Sequence, residues 1–135
     1  MKLQDAFLRS PWANRSPIEV EVPFETSIAG TVLRGRIDAV FADPDGGWTV
    51  IDWKTGAEPS AANEDAVVMQ LAAYRVAWAE LMSARARSAG RNEQFPADKV
   101  RAAFHYVRSG RTIAPENLPD GGALARLIRT AGAQD

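Results

Sequence analysis

The sequence predicts an α/β fold with a mixed β-sheet, a long crossover helix packed on the sheet and a short C-terminal helix. Three observations predict it. Apolar and polar residues alternate over residues 18–25, 31–41 and 48–54, which is typical of strands. Apolar residues then recur every three or four positions from about residue 65 to 87, which is typical of a helix. A mostly apolar run at 100–107 reads as a buried strand, so a strand, helix, strand unit follows the first strands.

The length and composition place limits on the function. A chain of 135 residues predicts a single domain, 1–135, with its core over about residues 18–107. Lys plus Arg is 16 against 17 for Asp plus Glu, which argues against a free-standing protein that grips nucleic acid by bulk charge. The absence of cysteine excludes disulfides and thiolate chemistry. Without a long apolar segment or a signal peptide, we expect a cytoplasmic protein with no membrane partner.

The first predicted strand places Ile18, Val20, Val22 and Phe24 on one buried face. Pro23 cannot donate a hydrogen bond to a neighbouring strand, so this strand is predicted at a sheet edge. Residues 27–30 are predicted to form the turn that follows. In the second predicted strand, one face is expected to carry Leu33, Gly35, Ile37, Ala39 and Phe41.

The next turn decides which residues of the second and third strands face each other. If residues 43–47 form the hairpin loop, Asp38 lies opposite Asp52 and Arg36 opposite Lys54, with directly opposed Cβ atoms roughly 4.5 to 5.5 Å apart. Two converging carboxylates suit a hard cation such as Mg²⁺ or Mn²⁺. The alternative is a solvated sheet face, on which Asp38 pairs diagonally with Lys54, or Asp52 with Arg36. A register shift of one residue would separate the two carboxylates.

The long helix carries one apolar stripe, in which Tyr74 is included and Gln70 lies at the edge. A short strand is predicted near residues 111–114 and a last helix over about residues 122–131. The first ten residues read as the final turns of a helix that stops at Pro11, so we expect the chain to be a piece of a larger protein.

Three motifs stand in order on this strand, strand and helix pattern: Gly35-Arg36-Ile37-Asp38, Val50-Ile51-Asp52-Trp53-Lys54-Thr55-Gly56 and Gln70-Leu71-Ala72-Ala73-Tyr74. Together they resemble the RecB-like branch of the PD-(D/E)XK nucleases, over about residues 18–107. The resemblance implies a restriction-endonuclease-like fold. It also implies a nuclease domain of the kind found at the C-terminus of bacterial helicase–nuclease proteins.

The resemblance implies a role for each motif residue. Asp38 and Asp52 correspond to metal ligands for Mg²⁺ or Mn²⁺, the carbonyl of Trp53 to a further ligand, and Lys54 to the catalytic lysine. Gln70 and Tyr74 correspond to the helix motif close to the catalytic residues. The arginines Arg34, Arg36 and Arg75 are candidates to bind DNA phosphates, with a solvated charged face as the alternative.

The chain departs from the family pattern in one place. RecB-like domains usually carry another metal ligand, often a histidine, on a helix before the first strand, and this chain has none there. The single histidine, His105, lies on the strand after the long helix, where we expect a structural role. Glu21 is an acidic residue ahead of the metal strand, to which no ligand role is assigned.

The expected function is hydrolysis of DNA phosphodiester bonds by a metal-dependent exonuclease domain. Its expected partners are single-stranded DNA ends, a helicase motor in the same chain and a second helicase–nuclease subunit, in the processing of double-strand breaks. One alternative is a catalytically incomplete module that binds DNA or scaffolds a partner subunit. Another is an unrelated interaction domain with a mixed sheet.

Overall fold

The computed structural model describes residues 11–60 and 63–133, so the helical turns predicted over residues 1–10 lie outside the described part. Five strands form one sheet. In chain order the elements are β1 Glu19–Ile28, β2 Thr31–Ala42, β3 Trp48–Lys54, α1 Glu64–Ser88, β4 Val100–Tyr106, β5 Arg111–Ile113 and α2 Gly121–Ala133. Short 3-10 helices occupy Pro11–Asn14 and Ala97–Lys99.

The sheet is mixed, and its strands lie in the order β1-β2-β3-β4-β5. Only β3 and β4 pair in parallel, because α1 carries the chain across the sheet between them. The predicted α/β fold is therefore confirmed, with β1 and Pro23 at a sheet edge as expected. Over the described ranges, no helix has the length and apolar character that crossing a membrane requires.

The core lies between α1 and one face of the sheet, which we call the α1 face. Leu71 and Trp78 of α1 are fully buried against β2, β3 and β4, while Val67, Tyr74 and Leu81 pack around them. The predicted apolar stripe is thus confirmed. Acidic residues in the first turn of α1 and arginines in its last turn match the charge preference of helix ends.

The hairpin between β2 and β3 has the predicted register. Ala39 pairs with Ile51 and Ala42 with Trp48, which closes the loop over residues 43–47. Asp43 anchors this loop through hydrogen bonds from Arg101 at 2.9 Å and Thr49 at 2.7 Å. The dense turn sequence therefore fixes which residues of the two strands face each other.

The predicted face of β1 is wrong at its start. Val22 is buried on the α1 face, but Ile18 and Val20 are 49% and 57% exposed on the other side. The reason is Glu21, whose φ of 51° lies in the left-handed region and reverses the alternation of side chains. The first turn is also shorter than predicted, because β1 continues to Ile28.

The second strand changes face at the position opposite Glu21. Ile37 packs on the α1 face, whereas Ala39 and Phe41 pack on the opposite face of the sheet. The β1–β2 ladder omits the pair that Glu21 and Asp38 would form, although the register is the same on both sides of the gap. The single face predicted from residue 33 to 41 is therefore wrong, and Asp38 lies at the break.

We expect Gly35→Ala to destabilise the protein. A Cβ at Gly35 would come 2.9 Å from the ring of Phe24, which packs edge-on against Tyr74 at 5.5 Å. Overpacking of this kind costs about 1–3 kcal/mol, to be measured by urea denaturation. Gly56→Ala is the control, since a Cβ at Gly56 meets nothing within 4 Å. Equal stability of both variants would contradict the close packing at Gly35.

Candidate active site

Two carboxylates from neighbouring strands meet on the α1 face of the sheet. Asp52 lies near the end of β3 and is only 8% exposed, and the carboxylate of Asp38 is within hydrogen-bonding reach of it. Asp38 Oδ2 also accepts a hydrogen bond of 2.9 Å from the backbone N–H of Trp53. The structure therefore brings together the two aspartates that the hairpin register places opposite each other.

The local backbone explains this arrangement. The β2–β3 ladder stops at Ala39 and Ile51, two residues before Trp53. Beyond it, the carboxylate of Asp38 accepts a hydrogen bond from the N–H of Trp53, and the break opposite Glu21 releases the Asp38 side chain from the regular alternation of β2. This hydrogen bond orients an acidic side chain toward β3.

Lys54 supplies the positive charge that this pair of carboxylates requires. Its Nζ lies 2.8 Å from Asp52 Oδ2 and 4.5 Å from the ring centre of Phe104. Each of these ion pairs joins two residues of the same strand. Lys54 and Asp52 pair on β3, and Arg36 Nε lies 3.9 Å from Asp38 Oδ1 on β2. They are not the diagonal pairs of the solvated-face alternative.

The pKa values reflect burial and the neighbouring charges. Burial, which is the largest cause, and the Asp38 carboxylate raise the pKa of Asp52, while Lys54 lowers it, and the net value is about 6. Burial alone would lower the pKa of Lys54, but the hydrogen bond and the charge of Asp52 outweigh burial and raise it. At neutral pH the site therefore holds an ionised Asp52 next to a charged Lys54.

Tyr74 and Gln70 of α1 reach the same carboxylate from the helix side. The hydroxyl of Tyr74 is 3.5 Å from Asp52 Oδ2 and accepts a hydrogen bond of 3.0 Å from Gln70 Nε2. Burial, together with the negative charge of Asp52, raises the pKa of Tyr74, so its hydroxyl keeps its proton. The Gln70 amide occupies an acceptor position of this hydroxyl, which leaves the proton directed at Asp52.

Comparison of the sequence with models of protein families identifies the family of this chain. The family model described as "PD-(D/E)XK nuclease superfamily" matches residues 2–131. The chain belongs to the PD-(D/E)XK nuclease superfamily. Superfamily members are in general nucleases that use divalent metal ions.

Comparison with solved structures gives a further similarity. A chain from the structure titled "Crystal structure of SSO0001" is 17% identical to this chain, with a TM-score of 0.45. The match covers 98% of this chain and 56% of that chain, so this protein spans little more than half of the solved one. No curated protein gives a significant match.

The residues present fit the divalent metal ion that the superfamily implies. Asp38 and Asp52 offer carboxylate oxygens, which are the donors that Mg²⁺ and Mn²⁺ prefer. Burial and the nearby Asp38 carboxylate raise the pKa of Asp52, and a bound cation would offset both effects by favouring the ionised form. Over residues 11–60 and 63–133, however, no group of three or more acidic or histidine side chains converges on one point.

Arg36 lies at the solvent-exposed side of this nuclease site. Its guanidinium lies 3.9 Å from an oxygen of Asp38 and 3.9 Å from an oxygen of Glu21, and its side chain is 61% exposed. The contact between Glu21 and Arg36 is not among the contacts predicted from the sequence. The β1–β2 register is the signal for this contact, because it places Glu21 opposite Asp38, two residues from Arg36.

Arg75 is not brought to the site. Its Nε donates to the carbonyls of Ala97 at 2.7 Å and Val100 at 2.8 Å, and its Nη1 donates to the carbonyl of Leu118 at 2.9 Å. Val100 pairs with Trp48 at the start of β3, at the other end of the strand from Asp52. The guanidinium of Arg75 therefore holds three chain segments together, away from the carboxylates.

His105 and the Trp53 ring lie on the opposite face of the sheet, in edge-to-face contact at 5.9 Å. His105 is fully buried, and its Nδ1 lies 2.8 Å from Thr112 Oγ1. The indole of Trp12 donates to the same Thr112 oxygen at 3.1 Å. These contacts give His105 a structural environment, and burial lowers its pKa.

The raised pKa of Asp52 predicts a pH-dependent stability of the metal-free protein. Asp52 has a pKa of about 6 in the folded chain against an ordinary value of 3.8, so between these values the folded state retains a proton that the unfolded state has lost. The stability of the wild type relative to Asp52→Asn should therefore fall as pH rises from 4 to 7. The fall is at most about 3 kcal/mol, at roughly 1.36 kcal/mol per pKa unit.

Urea denaturation in EDTA across this pH range measures the difference. Asp45→Asn is the control with the opposite sign, because hydrogen bonds from Arg101 and Gly47 lower the pKa of Asp45. The stability of the wild type relative to Asp45→Asn should stay constant down to about pH 5 and fall only as pH drops through 3.8 and below, so the series extends to about pH 3. A pH-independent difference between wild type and Asp52→Asn would show that Asp52 is not crowded in the folded protein.

Proposed function

We propose that the protein hydrolyses phosphodiester bonds at the ends of single-stranded DNA as a Mg²⁺- or Mn²⁺-dependent exonuclease of the RecB-like branch. The observation that carries the proposal is the carboxylate pair of Asp38 and Asp52 with Lys54 Nζ 2.8 Å from Asp52. Membership of the nuclease superfamily supports it.

In the proposed mechanism, Asp38, Asp52 and the carbonyl of Trp53 would hold the metal ion. A bound ion would lower the pKa of an attacking water and neutralise charge at the phosphate. Lys54 orients that water or stabilises the negative charge that builds on the phosphate in the transition state. Because Lys54 and the carboxylates lie on the same sheet face, the ammonium and a metal ion held by the carboxylates could act on one phosphate.

Two further groups act through Asp52. Tyr74 donates its proton toward Asp52 and fixes the direction of the carboxylate, and Gln70 fixes Tyr74. Both are positioning residues in this proposal.

Arg36 binds a neighbouring DNA phosphate, because its guanidinium is exposed beside Asp38. Arg75 is left out of the DNA path, since its donors hold backbone carbonyls.

The proposal includes a cellular context for this domain. We propose a cytoplasmic enzyme that processes double-strand breaks, with a helicase motor in the same chain and a second helicase–nuclease subunit as partner. A motor that delivers the strand removes the need for bulk positive charge on the nuclease domain. The net charge of -1 agrees with such delivery.

A second candidate function is a catalytically incomplete module that binds DNA or scaffolds a partner subunit. The observation that favours it is the size of the ligand set: the described part of the chain brings two carboxylates together and no third acidic or histidine side chain. The ion pair between Lys54 and Asp52 supports the enzyme, because it places an ammonium group beside the carboxylates, where it could act on a phosphate.

We expect the protein to degrade a labelled single-stranded oligonucleotide in Mn²⁺ or Mg²⁺, with no cleavage in EDTA. Asp52→Ala and Lys54→Ala should each slow cleavage at least about 100-fold, because each removes charge that acts on the reacting phosphate. Circular dichroism checks that the variants are folded. Arg101→Gln is the control, since Arg101 forms ion pairs at the distant hairpin loop. Variants that cut as fast as the wild type would refute the assigned roles.

Metal binding separates the two candidate functions. Titration calorimetry with Mn²⁺ at pH 7.5 should show one site that is lost in both Asp38→Asn and Asp52→Asn. Binding should weaken below pH 6, because protonated Asp52 must first release its proton. The loop variant Asp45→Asn should bind as the wild type does. A wild type that binds no Mn²⁺ at this cluster would support the incomplete module.

A further inference from the structure

A cavity of about 340 Å³ lies between the start of α1 and β5, and the proposed function does not use it. It is enclosed by the loop that follows β3, the first two turns of α1, and β5. Its volume falls within the range of small-molecule sites in proteins. The residues that enclose it are Glu58, Pro59, Glu64, Val67, Val68, Arg111, Ile113 and Pro115.

The strand register places β5, which lines this cavity, two strands away from Lys54 on β3. Lys54 pairs with Tyr106, which pairs with Arg111, so the three residues form one row across β3, β4 and β5. Neighbouring strands are about 4.8 Å apart, which puts the backbone of Arg111 about 10 Å from that of Lys54. Tyr106 packs on the α1 face, so the row lies on the same side of the sheet as the carboxylates.

A second row of paired residues leads from Asp52 to the lining of the cavity. Asp52 pairs with Phe104, which pairs with Ile113. Ile113 lines the cavity and packs against the core that contains Phe104. The loop that carries Glu58 starts directly after Lys54. A strand of DNA with a phosphate at Lys54 would reach this cavity if it runs across the sheet toward β5.

The lining combines apolar walls with one charged pair. Pro59, Val67 and Ile113 present flat or branched apolar surface. At the edge, Arg111 Nη1 donates to Glu58 Oε1 at 2.7 Å. Hydrogen bonds from Ser109 and Arg111 hold the pKa of Glu58 below its ordinary value, so the carboxylate stays ionised. The pair offers free guanidinium donors next to a carboxylate acceptor.

We propose that this cavity receives one unpaired nucleobase of the DNA strand that is cleaved, with a preference for guanine. The apolar walls contact the base faces, as protein surfaces do in single-strand binding. Arg111, which Glu58 holds through Nη1, donates its other guanidinium N–H groups to the O6 and N7 acceptors of guanine. This inference rests on the proposed function, because that function supplies the strand.

The cavity would also select the form of the substrate. A base inside a duplex is stacked and paired, so that entering a protein pocket costs unstacking and unpairing energy. An unpaired base enters without that cost. The cavity therefore gives the site a preference for single strands, in addition to any preference that the carboxylates impose.

The experiment is an abasic scan of a guanine-rich single-stranded oligonucleotide. Each nucleotide in turn is replaced by an abasic residue, and binding to the Lys54→Ala protein in Mn²⁺ is measured by fluorescence anisotropy. One position should weaken binding about tenfold, since one base loses its contacts. Restoring guanine there should bind more tightly than restoring cytosine or thymine.

Three variants of the Lys54→Ala protein test the lining. Val68→Phe fills the cavity and should remove the position-specific loss. Arg111→Gln, at an exposed position, should remove the preference for guanine. Arg101→Gln also breaks exposed ion pairs, but at the hairpin loop far from the cavity, and should keep both effects.

The outcomes separate this inference from the proposed function. A flat abasic scan, or a guanine preference that survives Arg111→Gln, would overturn the base pocket even if the wild type cleaves DNA. A wild type that neither cleaves nor binds single-stranded DNA would overturn both proposals. The pocket would be established if Val68→Phe removes the position-specific loss of binding, Arg111→Gln removes the preference for guanine, and Arg101→Gln keeps both.

Discussion

The structure depends on keeping two like charges together at the end of a buried strand. Asp38 and Asp52 repel each other, and burial makes that repulsion stronger than it would be in water. Two compensations hold the pair in place: the N–H of Trp53 binds Asp38, and the ammonium of Lys54 binds Asp52. Neighbouring side chains and backbone support these two contacts. The helix contributes Tyr74, and the packing of Gly35 under Phe24 keeps the ring of Tyr74 close to the sheet.

Much of this arrangement can be predicted from the sequence, because local signals carry it. The turn at residues 43–47 fixes the register of the hairpin, and the register alone places Asp38 opposite Asp52. The spacing of apolar residues in α1 likewise places Tyr74 toward the core and Gln70 at its edge. The order of strands follows from the long helix between β3 and β4, which requires a parallel pair.

The parts that could not be predicted have no local signal. A left-handed backbone at Glu21 is uncommon for a glutamate, so nothing in the sequence marks the change of face in β1 and β2. The role of Arg75 depends on carbonyls at residues 97, 100 and 118, which only the tertiary fold brings to one place. The cavity beside Arg111 has the same origin, since its walls come from three separate segments.

The crossover between β3 and β4 has a consequence for how the site assembles. The two carboxylates come from one hairpin, so their meeting requires only a short loop to close. Arg111 and the cavity are added only when β4 pairs in parallel with β3, which closes a far longer segment of chain. Such distant pairings form slowly, because the entropy of the connecting segment must be lost first. During synthesis at the ribosome, the acidic hairpin is therefore complete before the segments that carry Tyr74 and Arg111 have been made.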